Sequence, residues 1–262
     1  MDARELLVVA EAVVDDAEAM FIAGLGADPA HWKQPGEFAT EVDLAIEALL
    51  RQMLTQFTGI PVLGEEAGGL LTADPVWVVD PIDGTSNYAA GNPMCSILIS
   101  LLVDYQPVVA LTSMPLLGQR VTAFEGSPLI INGRPSTPLA ESREMVAQVG
   151  FSSVASQVSS TFPSLLRQGL LAELAATYLR PRITGSVGVD LAFTAQGIFG
   201  GAVSFSPYVW DNAAGVMLVK AAGGVVTDTE GNDWTPESIG VVAGTSRAHE
   251  AIMSTMDAIL NS

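Results

Sequence analysis

Apolar positions recur at helical spacing across residues 3–23, with Glu11, Asp15 and Glu18 on one face and Gly24 just past the end, which predicts an amphipathic first helix. Thr40-Glu-Val-Asp43 then precedes Leu44, Ile46, Leu49, Leu50, Met53 and Leu54, a capping-box signal for a second helix running to about Phe57. Short β-rich runs follow at 61–63, 76–79, 95–103, 108–113 and 120–124. They predict one sheet lying against two helices. The stretch from Pro135 to Pro138 has loop composition, and the texture changes there. Beyond it, strands are expected at 145–149, 202–205, 225–227 and 239–243, with helices at 162–178, 188–196, 210–222 and 246–260, an alternation typical of α/β structure. The chain therefore divides into an α+β half, residues 1–135, and an α/β half, residues 136–262. The cleft between them is the natural place for a site.

Composition narrows the chemistry. The 262 residues are 49% hydrophobic and 15% charged, and 29 acids against 11 bases leave a net charge of −18. Such a surface suits neither a nucleic-acid polymer nor an anionic membrane, since both demand basic patches. Only Lys33 and Lys220 are lysines and neither follows a glycine, so the chain has no P-loop. His31 and His249 stand far apart and outside any H-E-x-x-H pattern, which removes zinc-protease chemistry. A lone Cys95 inside an apolar run reads as a buried, inert thiol in a reducing cytoplasm. Acids at Asp2 and Glu5 argue against an export leader. The most apolar run, residues 94–103, is about half of the roughly 20 residues a membrane span needs.

The richest stretch is Trp77-Val-Val-Asp-Pro-Ile-Asp-Gly-Thr-Ser-Asn-Tyr88. A buried strand ends in Asp80, Pro81 stiffens the backbone and Asp83-Gly84 turns it. Two carboxylates so close stay ionised together only if a cation lies between them, and oxygen-only ligands suit Mg²⁺. An ordinary turn with solvated acids is the other reading. Gly64-Glu65-Glu66 follows another short strand, as a second acid pair or a solvated turn. Asp211 opens a predicted helix and Asp43 sits in the capping box, so each also has a structural role available.

Taken in order, Gly64-Glu-Glu, Trp77-Val-Val-Asp-Pro-Ile-Asp-Gly-Thr-Ser-Asn87 and Trp210-Asp-Asn-Ala-Ala-Gly…Ala-Gly-Gly224 resemble the signatures of the inositol monophosphatase family, with bacterial inositol-1-monophosphatases the nearest likeness. The resemblance covers nearly the whole chain, including Lys33 and Thr40-Glu-Val-Asp43 upstream. It implies a layered α-β-α-β-α sandwich of the inositol monophosphatase and fructose-1,6-bisphosphatase type. It implies Mg²⁺ as cofactor, in two or three ions per site. Glu65, Asp80 and the Ile82 carbonyl would hold one ion. Asp80, Asp83 and Asp211 would hold a second, and a third, weaker ion would also use Glu65. Catalysis falls to Glu65, Thr85 and Asp43, with the Thr85 hydroxyl, paired to Asp43, helping to activate water. The backbone amides of Gly84 and Thr85 would hold the substrate phosphate, Asp83 would also contact the substrate, and Gly185, Ser186 and Ser204 would lie by its alcohol part. A homodimer and Li⁺ inhibition are further family expectations.

Two metal ions roughly 3.5–4 Å apart suffice for in-line hydrolysis of a phosphate monoester, so scarce lysine is no obstacle. No Asp-x-Asp begins an apolar strand, and Cys95 has Leu101 rather than arginine six positions on; aspartyl-phosphate and cysteine-phosphatase routes both fail. Two departures concern substrate. The acid between Lys33 and Asp43 is Glu37, with one residue fewer before Thr40 than the family pattern. Seven residues before Asp211, where animal family members carry an inositol-binding glutamate, stands Ser204, a shorter and weaker partner. Residues 88–93 read as a flexible rim. The expected activity is Mg²⁺-dependent hydrolysis of myo-inositol 1-phosphate or a similar polyol phosphate. The alternatives are fructose 1,6-bisphosphate, histidinol phosphate, a 3′-phosphoadenosine nucleotide, or an idle regulatory homologue. Ser186 can equally be a helix cap.

Overall fold

The structure, a computed structural model, describes residues 1–34, 37–140, 147–155 and 160–260. Helix α1 (Ala3–Ala23) starts on Asp2 and Glu5, which form a reciprocal capping box. A hairpin of β1 (His31–Gln34) and β2 (Glu37–Ala39) leads into α2 (Glu41–Thr58), whose N-terminus is the Thr40–Asp43 capping box. Strands β3 (Val62–Gly64) and β4 (Val76–Asp83), helix α3 (Thr85–Ala89), and strands β5 (Ser96–Val103), β6 (Gln106–Met114), β7 (Gln119–Phe124), β8 (Ile130–Ile131) and β9 (Arg134–Pro135) follow. The seven strands β3 to β9 lie side by side in chain order. Then come β10 (Gln148–Phe151), α4 (Ser164–Ala176), β11 (Arg180–Arg182), α5 (Val187–Ala195), β12 (Gly201–Ser204), α6 (Val209–Ala221), β13 (Val225–Thr227), β14 (Val241–Gly244) and α7 (Ser246–Leu260). The second sheet runs β11-β10-β12-β14-β13.

Three hydrophobic cores explain the layering. The first joins Val13, Val14 and Phe21 of α1 and Ile46, Leu50 and Leu54 of α2 to Trp77, Val79, Ile97 and Ile99 on one face of the seven-stranded sheet. The second places α5 and α6 between the opposite face, through Val78 and Leu98, and the second sheet, through Ala202, Val241 and Ala243. The third packs Leu170 and Leu174 of α4 and Ile252 and Met256 of α7 onto Val149, Val203 and Val242. The order is helix, sheet, helix, sheet, helix, as expected.

The predicted arrangement of one sheet against two helices describes only half of this surroundings, because α5 and α6 cover the other face. The cause is legible in hindsight: β4 and β5 are nearly unbroken apolar runs, the mark of a strand buried on both sides. Helices α1 and α7 and strand β13 match the predicted spans, and the other shared elements differ by a few residues at their ends. Strand β4 runs on to Asp83 because a bulge between Asp80 and Asp83 absorbs the irregular stretch. The hairpin β1–β2, helix α3 and strands β8, β9 and β11 were not predicted; each has five residues or fewer. Met145 and Val146, the predicted start of a strand, lie outside the described residues.

Candidate active site

Two neighbouring strand ends create the site. Strands β3 and β4 pair in parallel with Gly64 opposite Val79, so Glu65 and Asp80 lie side by side just past the end of that pairing, and the Glu65 N–H donates to the Val79 carbonyl at 3.3 Å. The Ile82 N–H donates to Asp80 Oδ1 at 3.0 Å. Gly84 then takes a left-handed conformation, φ 85°, open to glycine at little cost, and starts α3. The Thr85 hydroxyl lies 3.0 Å from the Ile82 carbonyl and 3.3 Å from Asp43 Oδ1. Asp43, buried, also accepts from the Thr40 N–H at 2.8 Å and the Thr40 hydroxyl at 2.5 Å.

Asp83 is held from the opposite layer. Its Oδ2 accepts from Ser96 Oγ at 3.0 Å, from the Gly188 N–H at 2.8 Å, and from Ser186 Oγ in a short bond. The Val187 N–H reaches Oδ1 at 3.1 Å. The first turn of α5 thus donates amides to a buried carboxylate, where the helix dipole also favours negative charge. Burial raises the Asp83 pKa, and the donors from Ser186, Gly188, Ser96 and Val187 pull it back.

Electrostatics reveal how the acids gather. Asp80 is pushed well above the ordinary carboxylate range, first by burial and then by repulsion from Glu65, Asp83 and Asp211. Asp211, in the first turn of α6, is raised in the same way by desolvation, Glu65 and Asp83. Burial likewise raises Asp43, against the hydrogen bonds of Thr40. Lys33 reaches in from β1, its Nζ 2.6 Å from both Glu65 Oε1 and Glu66 Oε1. Burial opposes its charge, and the two glutamates outweigh that effect and raise its pKa.

Four acids from β3, β4 and α6 therefore share one region, as the sequence predicts. Among the described residues, no three His, Cys, Asp or Glu side chains close on a common point; Glu65 faces Lys33 instead. The donor set nevertheless suits Mg²⁺, being all oxygen, mutually repelling and free of sulfur and imidazole. Asp43 and Thr85 meet as expected across 42 positions of sequence. The Ser186 hydroxyl accepts from the Val189 N–H at 3.1 Å, capping α5, while donating to Asp83, so the helix-cap alternative holds. Gly185 adjoins the Gly84 turn, since a Cβ on Gly84 would meet the Gly185 carbonyl at 3.2 Å. Ser204 is buried at the end of β12 and accepts from the Ser206 N–H at 3.2 Å.

The rim expectation needs correction at Tyr88, which is fully buried and donates to the Phe21 carbonyl at 2.7 Å. Cys95 is buried and its thiol, desolvated and near Asp83, is pushed up to about 12, an inert group as expected. No helix among the described residues is long and apolar enough to cross a membrane. Sequence reasoning overlooked Glu47 and Arg51, which grip the loop that carries Glu65. Their i, i+4 spacing on α2 was the available signal.

A model of the inositol monophosphatase family matches residues 2–261. The chain is 48% identical over 255 residues to the probable inositol 1-monophosphatase ImpA of Mycobacterium tuberculosis, covering 97% of this chain and 94% of that protein. It is 32% identical over 233 residues to the Nus factor SuhB of Escherichia coli, covering 86% and 84% respectively. Among solved structures, the IMPase of Thermotoga maritima superposes with a TM-score of 0.82 at 24% identity, over 94% of both chains.

Proposed function

The chain belongs to the inositol monophosphatase family, and on that footing we propose that it is a Mg²⁺-dependent phosphomonoesterase acting on myo-inositol 1-phosphate or a similar polyol phosphate. The observation that carries this reading is the placement of Asp80 and Asp211, two acids 131 positions apart, near both Glu65 and Asp83, beside the Thr85 hydroxyl that lies 3.3 Å from Asp43. Acids so arranged oppose folding unless a cation joins them.

Glu65, Asp80 and the Ile82 carbonyl would hold one Mg²⁺; Asp80, Asp83 and Asp211 would hold a second, and a third would draw on Glu65. When bound, Mg²⁺ lowers the pKa of the attacking water and stabilises charge on the leaving oxygen. The chain's own residues do the rest. Asp43 accepts a hydrogen bond from the Thr85 hydroxyl, which turns the Thr85 lone pairs toward the water and orients its attack. The amides of Gly84 and Thr85 hold phosphate oxygens. Ser186 orients Asp83 through its hydroxyl, while Gly185 and Ser204 face the alcohol. A serine at 204 offers one hydroxyl where a carboxylate would accept two polyol bonds, so selectivity for inositol is modest.

The test is phosphate release from myo-inositol 1-phosphate, fructose 1,6-bisphosphate, histidinol phosphate and a 3′-phosphoadenosine nucleotide, each with and without Mg²⁺ and Li⁺, against Asp211→Asn. Inositol phosphate should be hydrolysed only with Mg²⁺ and only by the native chain, with Li⁺ inhibiting. A preference for another ester overturns the substrate and leaves the mechanism standing. The likeness to SuhB supports a second reading, a regulatory subunit; release from none of the esters would favour it. The family resemblance and the buried Cys95 also support a cytoplasmic homodimer, checked by light scattering on the eluting peak.

A further inference from the structure

Glu47 lies one turn beyond Asp43 on α2 and is buried, 1% exposed. Its Oε2 accepts from the Glu66 N–H at 2.6 Å and its Oε1 from the Ala67 N–H at 2.9 Å. Arg51, a further turn along, donates from Nη2 to Glu47 Oε1 at 2.9 Å and to the Gly68 carbonyl at 2.8 Å. Its Nη1 donates to the Val62 carbonyl at 2.5 Å. The carboxylate and guanidinium thus bracket residues 62–68 from both ends, and the Gly64 N–H closes the loop on the Gly68 carbonyl at 3.1 Å. Glu65 sits at the centre of that bracket. Gly64 belongs to the same device: a Cβ there would run into the Glu47 carboxylate.

A carboxylate placed as deep as Glu47 costs desolvation that an apolar residue would avoid. The loop gains from it a fixed set of charge-assisted bonds, and the direction in which Glu65 leaves the sheet depends on those bonds. Lys33 and the other acids reach Glu65 through its side chain, and the Val79 carbonyl of β4 holds its N–H; the bracket fixes the backbone on either side of it. We infer that Glu47 and Arg51 are positioning residues that set the affinity of Glu65 for Mg²⁺, acting through the backbone of residues 65–68. This rests on the metal reading above and extends it to two side chains that touch neither ion nor substrate. Groups that orient a ligand in this way typically change metal affinity by about 10- to 100-fold when altered.

The experiment titrates Mg²⁺ calorimetrically into the native protein, Glu47→Gln, Arg51→Gln and Val149→Ala. Tm and the Mg²⁺ dependence of phosphate release are measured on each. Glutamine at 47 keeps one acceptor and turns an amide toward the loop's N–H groups. Arg51, whose side chain is 32% exposed, can be replaced with less risk to folding and decides the matter if Glu47→Gln does not fold. Val149→Ala lowers Tm from the outer core, far from the loop. The expected result is Mg²⁺ binding weaker by about tenfold or more in the position 47 and 51 variants, with kcat restored by excess Mg²⁺ and ester KM unchanged. Val149→Ala should keep native affinity. Native affinity in Arg51→Gln overturns the inference, as does equal weakening in Val149→Ala. Absence of Mg²⁺ uptake by the native protein overturns this inference and the metal reading together, whereas uptake by native and variants alike removes the positioning role only.

Discussion

Asp80 and Asp211 concentrate the conflict between folding and chemistry in two side chains, each raised by burial and by acidic neighbours. Asp211→Asn is therefore expected to abolish phosphate release by about 100-fold or more, roughly 3 kcal/mol of barrier. It should also raise the Tm of the metal-free protein, because a repelling charge is gone; a phosphate assay reads the first effect and scanning calorimetry of the same preparation the second. Asp190, within the field of Asp83, offers a pH-dependent counterpart. Burial lifts its pKa well above the usual value, the Thr184 hydroxyl at 2.7 Å opposes that lift, Asp83 adds to it, and the second Asp190 oxygen has no hydrogen-bond partner among the described residues. A carboxyl raised in the folded state binds more protons there than in the unfolded chain, so stability is highest in acid and falls as pH climbs from about 4 toward the folded value. Asp190→Asn should flatten that slope in Tm measured across pH and leave ester turnover intact.

At the scale of elements, α2 makes the sharpest prediction. Thr40→Ala removes the N-cap and one Asp43 partner together. It should cost about 0.5–2 kcal/mol, or roughly 2–4 °C of Tm per kcal/mol for a chain of this size. It should also lower kcat as Asp43 loses its hold on Thr85, while Thr40→Ser retains most of both. This cap was legible in sequence, because a capping box is local and its spacing is written in four consecutive residues. The acids at the ends of β3 and β4 were legible for a similar reason, a buried run breaking into polar residues. Helix α3 and the hairpin β1–β2 were not, since a few residues of mixed polarity carry no period. Nor was the grip of α5 on Asp83, which joins residues more than 100 positions apart. The Glu47–Arg51 bracket shared that handicap: its helical spacing was visible, but its target, the backbone of another element, was not.

Across the whole molecule, the acids come from both sheets' territories: Glu65 and Asp80 leave the first, while Asp211 rides on α6 between the two. Saturating Mg²⁺ should accordingly stabilise the molecule as one unit. An ion present at 100 times its Kd adds about 2.7 kcal/mol, and thermal unfolding should shift upward as a single transition in the native protein and by less in Asp211→Asn, which keeps only the site built on Glu65 and Asp80. One detail of α2 bears on how relatives of this chain are to be sorted. Asp43 begins a helix as well as serving Thr85, so a descendant that had abandoned hydrolysis would still keep it for the sake of folding. Its presence is no badge of an active enzyme. Asp80 and Asp211 are raised by burial and by acidic neighbours, so their charge on balance opposes folding, and they are the positions where a pseudoenzyme would first betray itself.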